Sequence, residues 1–293
     1  MDPDLKDGLG YWATQPATYD GVLGGFGNGS LPRVDALGSR LFLLNLLPEL
    51  CTVPSALKPL HPTSSNTRRR AVEVGAGVGR VTSDVLLHLF DDVVLVEPAD
   101  HFVQQALSRA RAPGAWRGLD DASKSVTFLQ GTLQVLVIYL PLLNRISYAP
   151  KEFDPKRPHH CKVLDRLGHT PAQTDAVSGF DVIWCQWCLG HLSDPELAAF
   201  LKRSHSSLRN QEKSLIVVKE NLCSDEADGS ARIVFDEEDS SLTRSAFSNW
   251  YSPTMLNFQY ADLMPRGKMY SKRLDCVSSM KKSKMDSLMV FML

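Results

Sequence analysis

The sequence lacks an excess of charge of either sign, a long apolar run and a regular cysteine pattern. Its formal net charge of -1 leaves no overall basic field that would favour nucleic acid. The longest apolar stretch, 133–143, falls well short of the ~20 residues that a helix needs to cross a bilayer. Residues 1–10 are polar and acidic, unlike a signal peptide. The six scattered cysteines are typical of reduced intracellular thiols, so we expect a protein of the cytoplasm and the nucleus, without nucleic-acid or membrane partners.

The apolar residues that are present indicate one large α/β domain. They make up 43% of the chain, which is enough for a sizeable core. The strands predicted from short apolar stretches are 71–74, 93–97, 126–130, 180–187 and 214–221, and helical spacing predicts helices over 36–50, 81–90, 99–111 and 194–208. Strands that alternate with helices predict a mostly parallel sheet with helices on both faces. The Gly-rich and aromatic residues 1–35 are expected to form an N-terminal helical lid.

Two segments depart from this alternation. Residues 135–178 place a long stretch with proline and histidine between the third and fourth strands, where a compact domain rarely has a loop of that length. Residues 251–293 show no clear strand pattern or turn chemistry. We therefore expect a single domain over 1–250 with an atypical insertion at 135–178, followed by an atypical, disordered C-terminal segment.

A glycine loop between the first predicted strand and the following helix is the strongest local signal. Residues 73–80 read Glu-Val-Gly-Ala-Gly-Val-Gly-Arg, and the glycines allow a sharp turn and close approach to a ligand. A dinucleotide fingerprint would need glycine where Arg80 stands. The acid-x-Gly-x-Gly-x-Gly pattern is instead typical of class I (Rossmann-like) methyltransferases, which bind S-adenosyl-L-methionine. Glu97, at the end of the second strand, could accept hydrogen bonds from the ribose hydroxyls, and Glu73 from the cofactor's ammonium side. A tight turn without a ligand and an NAD site are the alternatives.

Several blocks of sequence together resemble the α N-terminal protein methyltransferase family. They are YW at 11–12, DGVLGGFG at 20–27, EVGAGVGRVT at 73–82, FDVIWCQWCLGHL at 180–192, VVKEN at 217–221 and FDEEDSSLTRS at 235–245. The resemblance implies an S-adenosylmethionine-dependent enzyme that adds one to three methyl groups to the α-amine of proteins beginning Xaa-Pro-Lys, ribosomal and chromatin-associated proteins among them. It also implies a β-hairpin that closes the sheet, for which no pattern is found after Trp250.

The resemblance further implies roles for individual residues. The implied cofactor-binding residues are Gly75, Gly77, Arg80, Glu97, Pro98, Ala99, Leu133, Gln134 and Gln186. The implied substrate-binding residues are Trp187, Asn221, Asp236 and Ser241, and the implied catalytic bases are His191 and Asp239. Bases suit this reaction because each methylated amine carries a proton that must leave before the next transfer. The acidic run 236–239 would attract a cationic substrate, although such a run is more often a solvated face.

Other functions are compatible with parts of the sequence. A small-molecule methyltransferase would use the same glycine loop, and a non-catalytic S-adenosylmethionine-binding protein would follow from loss of the closing hairpin. Cys185 and Cys188 have the spacing of a redox or zinc pair, but no second pair accompanies them. We therefore expect no metal site.

Overall fold

An eight-stranded sheet forms the centre of the protein. The computed structural model describes residues 2–51, 67–134, 161–170 and 179–245, and the backbone of 272–274 and 287–292. The strands of the main sheet are β1 (Arg70–Val74), β2 (Asp92–Glu97), β3 (Ser125–Gln130), β4 (Lys162–Gly168), β5 (Val182–Gln186), β6 (Leu215–Leu222), β9 (Lys272–Leu274) and β10 (Ser287–Met292). A separate two-stranded sheet pairs β7 (Ile233–Asp236) with β8 (Ser241–Arg244).

The predicted parallel sheet is confirmed. The strand order is β4-β3-β2-β1-β5-β6-β10-β9, and β3, β2, β1, β5 and β6 are parallel to their neighbours in that run. These are the strands expected from the apolar stretches. The chain passes from β1 to β2 on one side and later returns to β5 on the other. The strand order therefore reverses between β1 and β5, which is the place where open α/β sheets bind ligands.

Helices cover both faces of the sheet, as predicted. They are α1 (Leu5–Thr14), α2 (Tyr19–Val22), α3 (Leu31–Leu46), α4 (a π-helical turn over Thr82–Leu86 and an α-helical turn over Leu87–Leu89), α5 (Asp100–Arg111) and α6 (Asp194–Ser206). Helix α3 begins and ends earlier than the predicted 36–50. Pro32 lies in its first turn, where proline favours helix initiation, and Pro48 prevents its continuation.

Alternate residues of each central strand pack into two separate apolar layers. On β1, Ala71 joins the layer that contains α3, α4 and α5, whereas Val72 and Val74 join the layer that contains α6. This alternation follows from the period of two in a β-strand. A third, small cluster packs Trp12, Tyr19 and other lid residues against Phe102 of α5. The N-terminal lid thus covers one end of the sheet.

The segment between the third and fourth predicted strands contributes a strand that the sequence did not predict. Strand β4 runs antiparallel to β3, with Ser125 opposite Gly168, and forms one edge of the sheet. Its side chains are half-buried rather than buried. Such an edge strand has a weaker apolar pattern than the central strands, which is why its sequence did not reveal it.

The closing strand pair that the resemblance implies is present, although no pattern in the sequence after Trp250 indicated it. The backbone of β10 runs antiparallel to β6, with Ser287 opposite Leu222, and β9 pairs with β10. The sequence at 288–293 is a continuous apolar run. Such a run suits a strand that is covered on both faces, but it lacks the alternation that identifies a half-buried strand, so it was not recognised as a strand. Among the helices of the described ranges, none has both the length and the apolar sequence that a membrane span requires.

Candidate active site

The glycine loop leaves β1 at the centre of the sheet and leads into α4. Gly75 has φ +62°, a conformation that disfavours side chains. A Cβ on Gly75 would also lie 2.4 Å from the Cβ of Cys188, which follows β5. Only glycine therefore lets the loop turn at this point while β5 remains paired with β1.

A cavity opens beside this loop and is roofed by the lid. It encloses about 950 Å³ of space, its open mouth included. Its lining includes most of the predicted cofactor residues, namely Gly75, Gly77, Arg80, Glu97, Pro98, Leu133, Gln134 and Gln186, together with Trp187 and His191. Ala99 is buried behind the lining, and its N–H donates to Glu97 Oε1 at 2.8 Å. Helices α1 and α2 contribute Trp12 and Val22 to the same cavity.

Glu97 presents a carboxylate to the cavity at the end of β2. Its Oε2 accepts from the N–H of Gly77 at 2.7 Å, and its Oε1 accepts from Ala99. Burial raises the pKa of Glu97 to about 7, against the effect of these two hydrogen bonds. Each carboxylate oxygen retains capacity for another donor. The arrangement therefore suits the ribose hydroxyls that the sequence analysis assigned to this residue.

Glu73 faces the start of α4. Its Oε2 accepts from Thr82 Oγ1 at 2.5 Å, and burial raises its pKa to about 7. The side chain lines the cavity as well. It therefore fixes the loop to the helix, in addition to facing the place where the cofactor's ammonium was expected.

Two polar atoms in the cavity wall have no hydrogen-bond partner among the described residues. They are the hydroxyl Oγ1 of Thr132, just after β3, and the indole Nε1 of Trp187, just after β5. Buried polar groups are nearly always satisfied, so two unsatisfied ones in residues that line the same cavity suit a polar ligand there. With Glu97 for hydroxyls and Arg80 for a carboxylate, the residues present fit an adenosyl amino acid.

Trp187 is held in a strained backbone conformation. Its φ is +55°, which costs a non-glycine residue about 1–3 kcal/mol. The backbone N–H of Trp187 donates to the carbonyl of Lys219 at 3.0 Å, and the guanidinium of Arg80 lies 5.6 Å from the centroid of the indole ring. Such strain persists where the surrounding structure enforces it, and it is common at functional sites. The indole thereby forms part of the wall between the cofactor cavity and its mouth.

His191 lies where α1 meets the 3-10 turn Leu189–His191. Its Nε2 accepts from Trp12 Nε1 at 2.9 Å. Burial lowers the pKa of His191, and the nearby charge of Asp239 offsets part of that shift. A Cβ on Gly8 would lie 3.2 Å from His191 Nδ1, so the absence of a side chain there allows the close approach of α1. The imidazole is therefore neutral at pH 7 and enclosed by the lid.

Asp239 of the β7–β8 turn lies near His191 but is not part of the described cavity lining. Asp239 Oδ1 accepts from Ser241 Oγ at 2.6 Å. The N–H of Asp4, the residue that caps α1, donates to Ser240 Oγ at 2.8 Å. Asp236 lies opposite Ser241 in the strand register. The turn is thus tied to the lid at the cavity mouth.

The predicted substrate residues are not all brought to one place. The described cavity lining includes Trp187 but not Asn221, Asp236 or Ser241. Asn221 lies on β6, two residues beyond Lys219, where its backbone is in register with Leu288 of β10. That Asn221, Asp236 and Ser241 bind the substrate at the mouth of the cavity therefore stays a prediction.

Sequence reasoning missed three side chains that organise the site. Trp12 bonds to His191, and Asp35 on α3 contacts both Arg80 and Gln186. The Oε1 atom of Glu220 accepts from the N–H groups of Cys188 and Leu189, and so fixes the turn that carries His191. Asp35 could have been noticed because it shares the buried face of α3, an uncommon place for an acid.

The cysteine pair after β5 has a packing role in the structure. Cys185 and Cys188 are buried free thiols, and burial raises the pKa of each well above its ordinary value. Reactive thiols and metal ligands need the thiolate, which this environment disfavours. The described ranges contain no cluster of His, Cys, Asp or Glu arranged to hold a metal ion.

Comparison with known proteins identifies the family of this chain. A family model described as AdoMet-dependent proline di-methyltransferase matches residues 3–134 and 158–257. The chain belongs to this family. It is therefore an S-adenosyl-L-methionine-dependent methyltransferase, which confirms the predicted cofactor and enzyme class.

Curated relatives and a solved structure agree with this assignment. Alpha N-terminal protein methyltransferase 1 of Schizosaccharomyces pombe is 32% identical over 246 residues, which are 83% of this chain and 81% of that protein. Human N-terminal Xaa-Pro-Lys N-methyltransferase 1 is 29% identical over 80% of this chain and 75% of its own length. The chain spans 65% of the Arabidopsis thaliana relative, to which it is 30% identical over 82% of its own length. A SAM-dependent methyltransferase from Leishmania major shares the fold with a TM-score of 0.58 and 24% identity, covering 98% of this chain and 81% of that one.

Proposed function

We propose that this enzyme transfers one to three methyl groups to the α-amino group of proteins that begin Xaa-Pro-Lys. The observation that carries the proposal is the proximity of Asp239 to a neutral His191, which lines the cofactor cavity together with Trp187. The relatives named for N-terminal methylation support the same substrate class. A small-molecule methyltransferase would have no need for an acidic turn tied to its lid.

The chemistry of the amine explains the bases. S-adenosylmethionine supplies an activated methyl group, so the protein has to present a neutral amine in line with it. A free α-amine has a pKa of about 7.7–8.0 and is largely protonated at pH 7. His191, kept neutral by burial, and the half-exposed Asp239 can take up the proton that each transfer releases.

The charge at the mouth suits the rest of the proposed substrate. Glu237 and Glu238 are exposed in the turn between β7 and β8, and Asp236 and Asp239 flank them. This negative surface would attract the terminal ammonium and the third-position lysine. The indole of Trp187 offers an apolar surface for the second-position proline.

Mass spectrometry of synthetic peptides tests the proposal. A peptide beginning Ser-Pro-Lys, incubated with enzyme and S-adenosylmethionine, should gain one to three methyl groups. The matched peptide with an acetylated N-terminus should gain none, and one beginning Ser-Pro-Gln should react more slowly. Methylation of the acetylated peptide at the same rate would contradict the proposal. So would turnover of small amines without any peptide product.

The cellular side of the proposal concerns partners, location and domain extent. We propose ribosomal and chromatin-associated proteins as substrates in the cytoplasm and nucleus, with residues 1–250 and the strands β9 and β10 of the same sheet as one catalytic domain. The gap in the family match between 134 and 158 supports an insertion within 135–178. N-terminal proteomics of cells that lack the enzyme should show loss of α-methylated Xaa-Pro-Lys termini from both compartments. Unchanged termini would contradict this assignment.

A further inference from the structure

An acidic side chain is buried between α3 and the sheet. Asp35 lies on the inward face of α3, and its side chain is 3% exposed. Its carboxylate accepts from Arg80 Nη1 at 2.6 Å and from Gln186 Nε2 at 3.1 Å. It also accepts from the Nζ of Lys219, which in turn bonds to Ser39 Oγ at 3.1 Å. One carboxylate thus contacts side chains from the glycine loop, from β5 and from β6.

Two of these partners line the cofactor cavity. Arg80 and Gln186 both face it, whereas Asp35 and Lys219 are not part of the described lining. The carboxylate of Asp35 therefore binds two residues of the cavity lining without being part of that lining. We infer that Asp35 is a positioning residue for the cofactor, which orients Arg80 and Gln186 toward the amino-acid end of S-adenosylmethionine. This inference rests on the cofactor site and not on the identity of the methyl acceptor.

Ionised side chains form the cluster. Arg80 and Lys219 are buried, and each forms an ion pair with Asp35. Burial raises the pKa of Glu73 to about 7, although the charge of Arg80 acts to lower it. The Arg80 and Lys219 charges keep the pKa of Asp35 below its ordinary value despite its burial, so this carboxylate stays ionised.

Gln186 extends the same arrangement to the aromatic side of the cavity. Its Oε1 accepts from the indole of Trp184 at 3.1 Å, while its Nε2 is held by Asp35. Both ends of the amide are therefore fixed. A side chain held in this way loses little conformational entropy when a ligand binds. Loss of Asp35 would free the side chains of both Gln186 and Arg80. The binding of the part of the ligand that these residues face should then become weaker.

Binding measurements on the complete, ligand-free protein separate positioning from general stability. Isothermal titration would compare S-adenosylhomocysteine with 5′-methylthioadenosine, which has the same nucleoside but no amino-acid end. For Asp35→Asn we expect the affinity for S-adenosylhomocysteine to fall about tenfold or more, because a charged hydrogen bond that orients Arg80 is lost. The affinity for 5′-methylthioadenosine should change by less than about threefold, since that ligand lacks the group that Arg80 faces.

Ser39→Ala is the matched control. It removes a hydroxyl from the same face of α3 and from the same lysine but leaves the Asp35 contacts to Arg80 and Gln186. Both affinities should remain at the wild-type values. Equal losses for the two ligands in Asp35→Asn, or no loss for either, would overturn the inference.

A charge-balanced variant keeps the test decisive if Asp35→Asn fails to fold. The double change Asp35→Asn with Lys219→Met removes one buried charge of each sign, so no unpaired lysine remains. The ratio of the two affinities should still shift by about tenfold against S-adenosylhomocysteine. A folded double variant with the wild-type ratio would show that Asp35 only stabilises the fold. Peptide methylation is not used in any of these readouts, so a wrong acceptor assignment cannot imitate their failure.

Discussion

The floor of the cofactor cavity and its mouth are built in different ways. The floor comprises the ends of β1, β2 and β5, where Gly75 closely approaches Cys188, backbone N–H groups hold Glu97, and Asp35 of α3 and Trp184 hold Gln186. The mouth comprises α1, the turn Leu189–His191 and the β7–β8 turn, joined by single hydrogen bonds between distant parts of the chain. Cofactor binding thus depends on the sheet and on the helix α3 packed against it. The choice of methyl acceptor depends on contacts that can change without altering the sheet.

The most severe test of this comparison is a change in the floor. Gly75→Ala forces a Cβ against Cys188 and a side chain into a left-handed conformation. We expect a loss of about 3 kcal/mol in the free energy of unfolding, together with loss of cofactor binding. Urea denaturation and calorimetry with S-adenosylhomocysteine would measure both quantities.

Gly38→Ala is the control for that change. No atom lies within 4 Å of the Cβ that it would add, and the residue is inside α3. The variant should gain about 0.5–1 kcal/mol of stability and bind the cofactor normally. If Gly75→Ala left stability and cofactor affinity as little changed as Gly38→Ala, the floor of the cavity would not be rigid.

A change in the mouth should separate turnover from cofactor binding. Asp239→Asn removes a base beside His191, so kcat for peptide methylation should fall about a hundredfold. The affinity for S-adenosylhomocysteine should be unchanged because Asp239 lies outside the cavity lining of the described residues. Steady-state kinetics and calorimetry provide the two readouts. Glu237→Gln, an exposed acid of the same turn, should retain most activity, and equal activity in both variants would exclude Asp239 as a base.

The contact between the lid and the base predicts a change in pH dependence. The indole N–H of Trp12 bonds to His191 Nε2, which favours the neutral imidazole, as burial does. Trp12→Phe should therefore raise the pKa of His191, and activity should be lost at a higher pH as the solution is acidified. At pH 6, relative to pH 8.5, we expect about two- to fivefold less activity than in the wild type.

The substrate amine titrates identically with either enzyme, so the difference between the two pH–rate profiles isolates His191. Tyr11→Phe leaves the Trp12 contact in place and should give the wild-type profile. An unchanged acid limb in Trp12→Phe would remove His191 from the proton pathway or show that Trp12 has no influence on it.

The smallest effect is expected outside both regions. Arg111 on α5 bonds to Asp165 on the edge strand β4 at 2.5 Å, and the arginine side chain is 58% exposed. Arg111→Ala should cost less than about 0.5 kcal/mol, because water and salt screen exposed ion pairs. Thermal unfolding would record the change, and kcat and cofactor affinity should both remain normal. A larger loss would mean that the edge strand contributes to the site.

The sequence predicted the floor better than the mouth or the edges. Gly75, Gly77 and Glu97 belong to one strand–helix–strand unit, with the glycines after β1 and the acid at the end of β2, so their neighbourhood could be inferred without coordinates. The partnership of Asp35 with Lys219 could not, because these residues are 184 positions apart and meet only when α3 packs on β6. The terminal strand β10 was missed because a short apolar run has the same pattern in a strand and in a buried helix.

The positions of the methyl groups on one peptide distinguish α-amine methylation from lysine methylation. A peptide beginning Ser-Pro-Lys offers two amines, the α-amine and the lysine ε-amine, to the same enzyme. Tandem mass spectrometry of the product should place every added methyl group on the α-nitrogen, because we propose that the bases surround the chain terminus and that the acidic turn binds the lysine. Methyl groups on the lysine ε-nitrogen, with the α-amine unmodified, would contradict it.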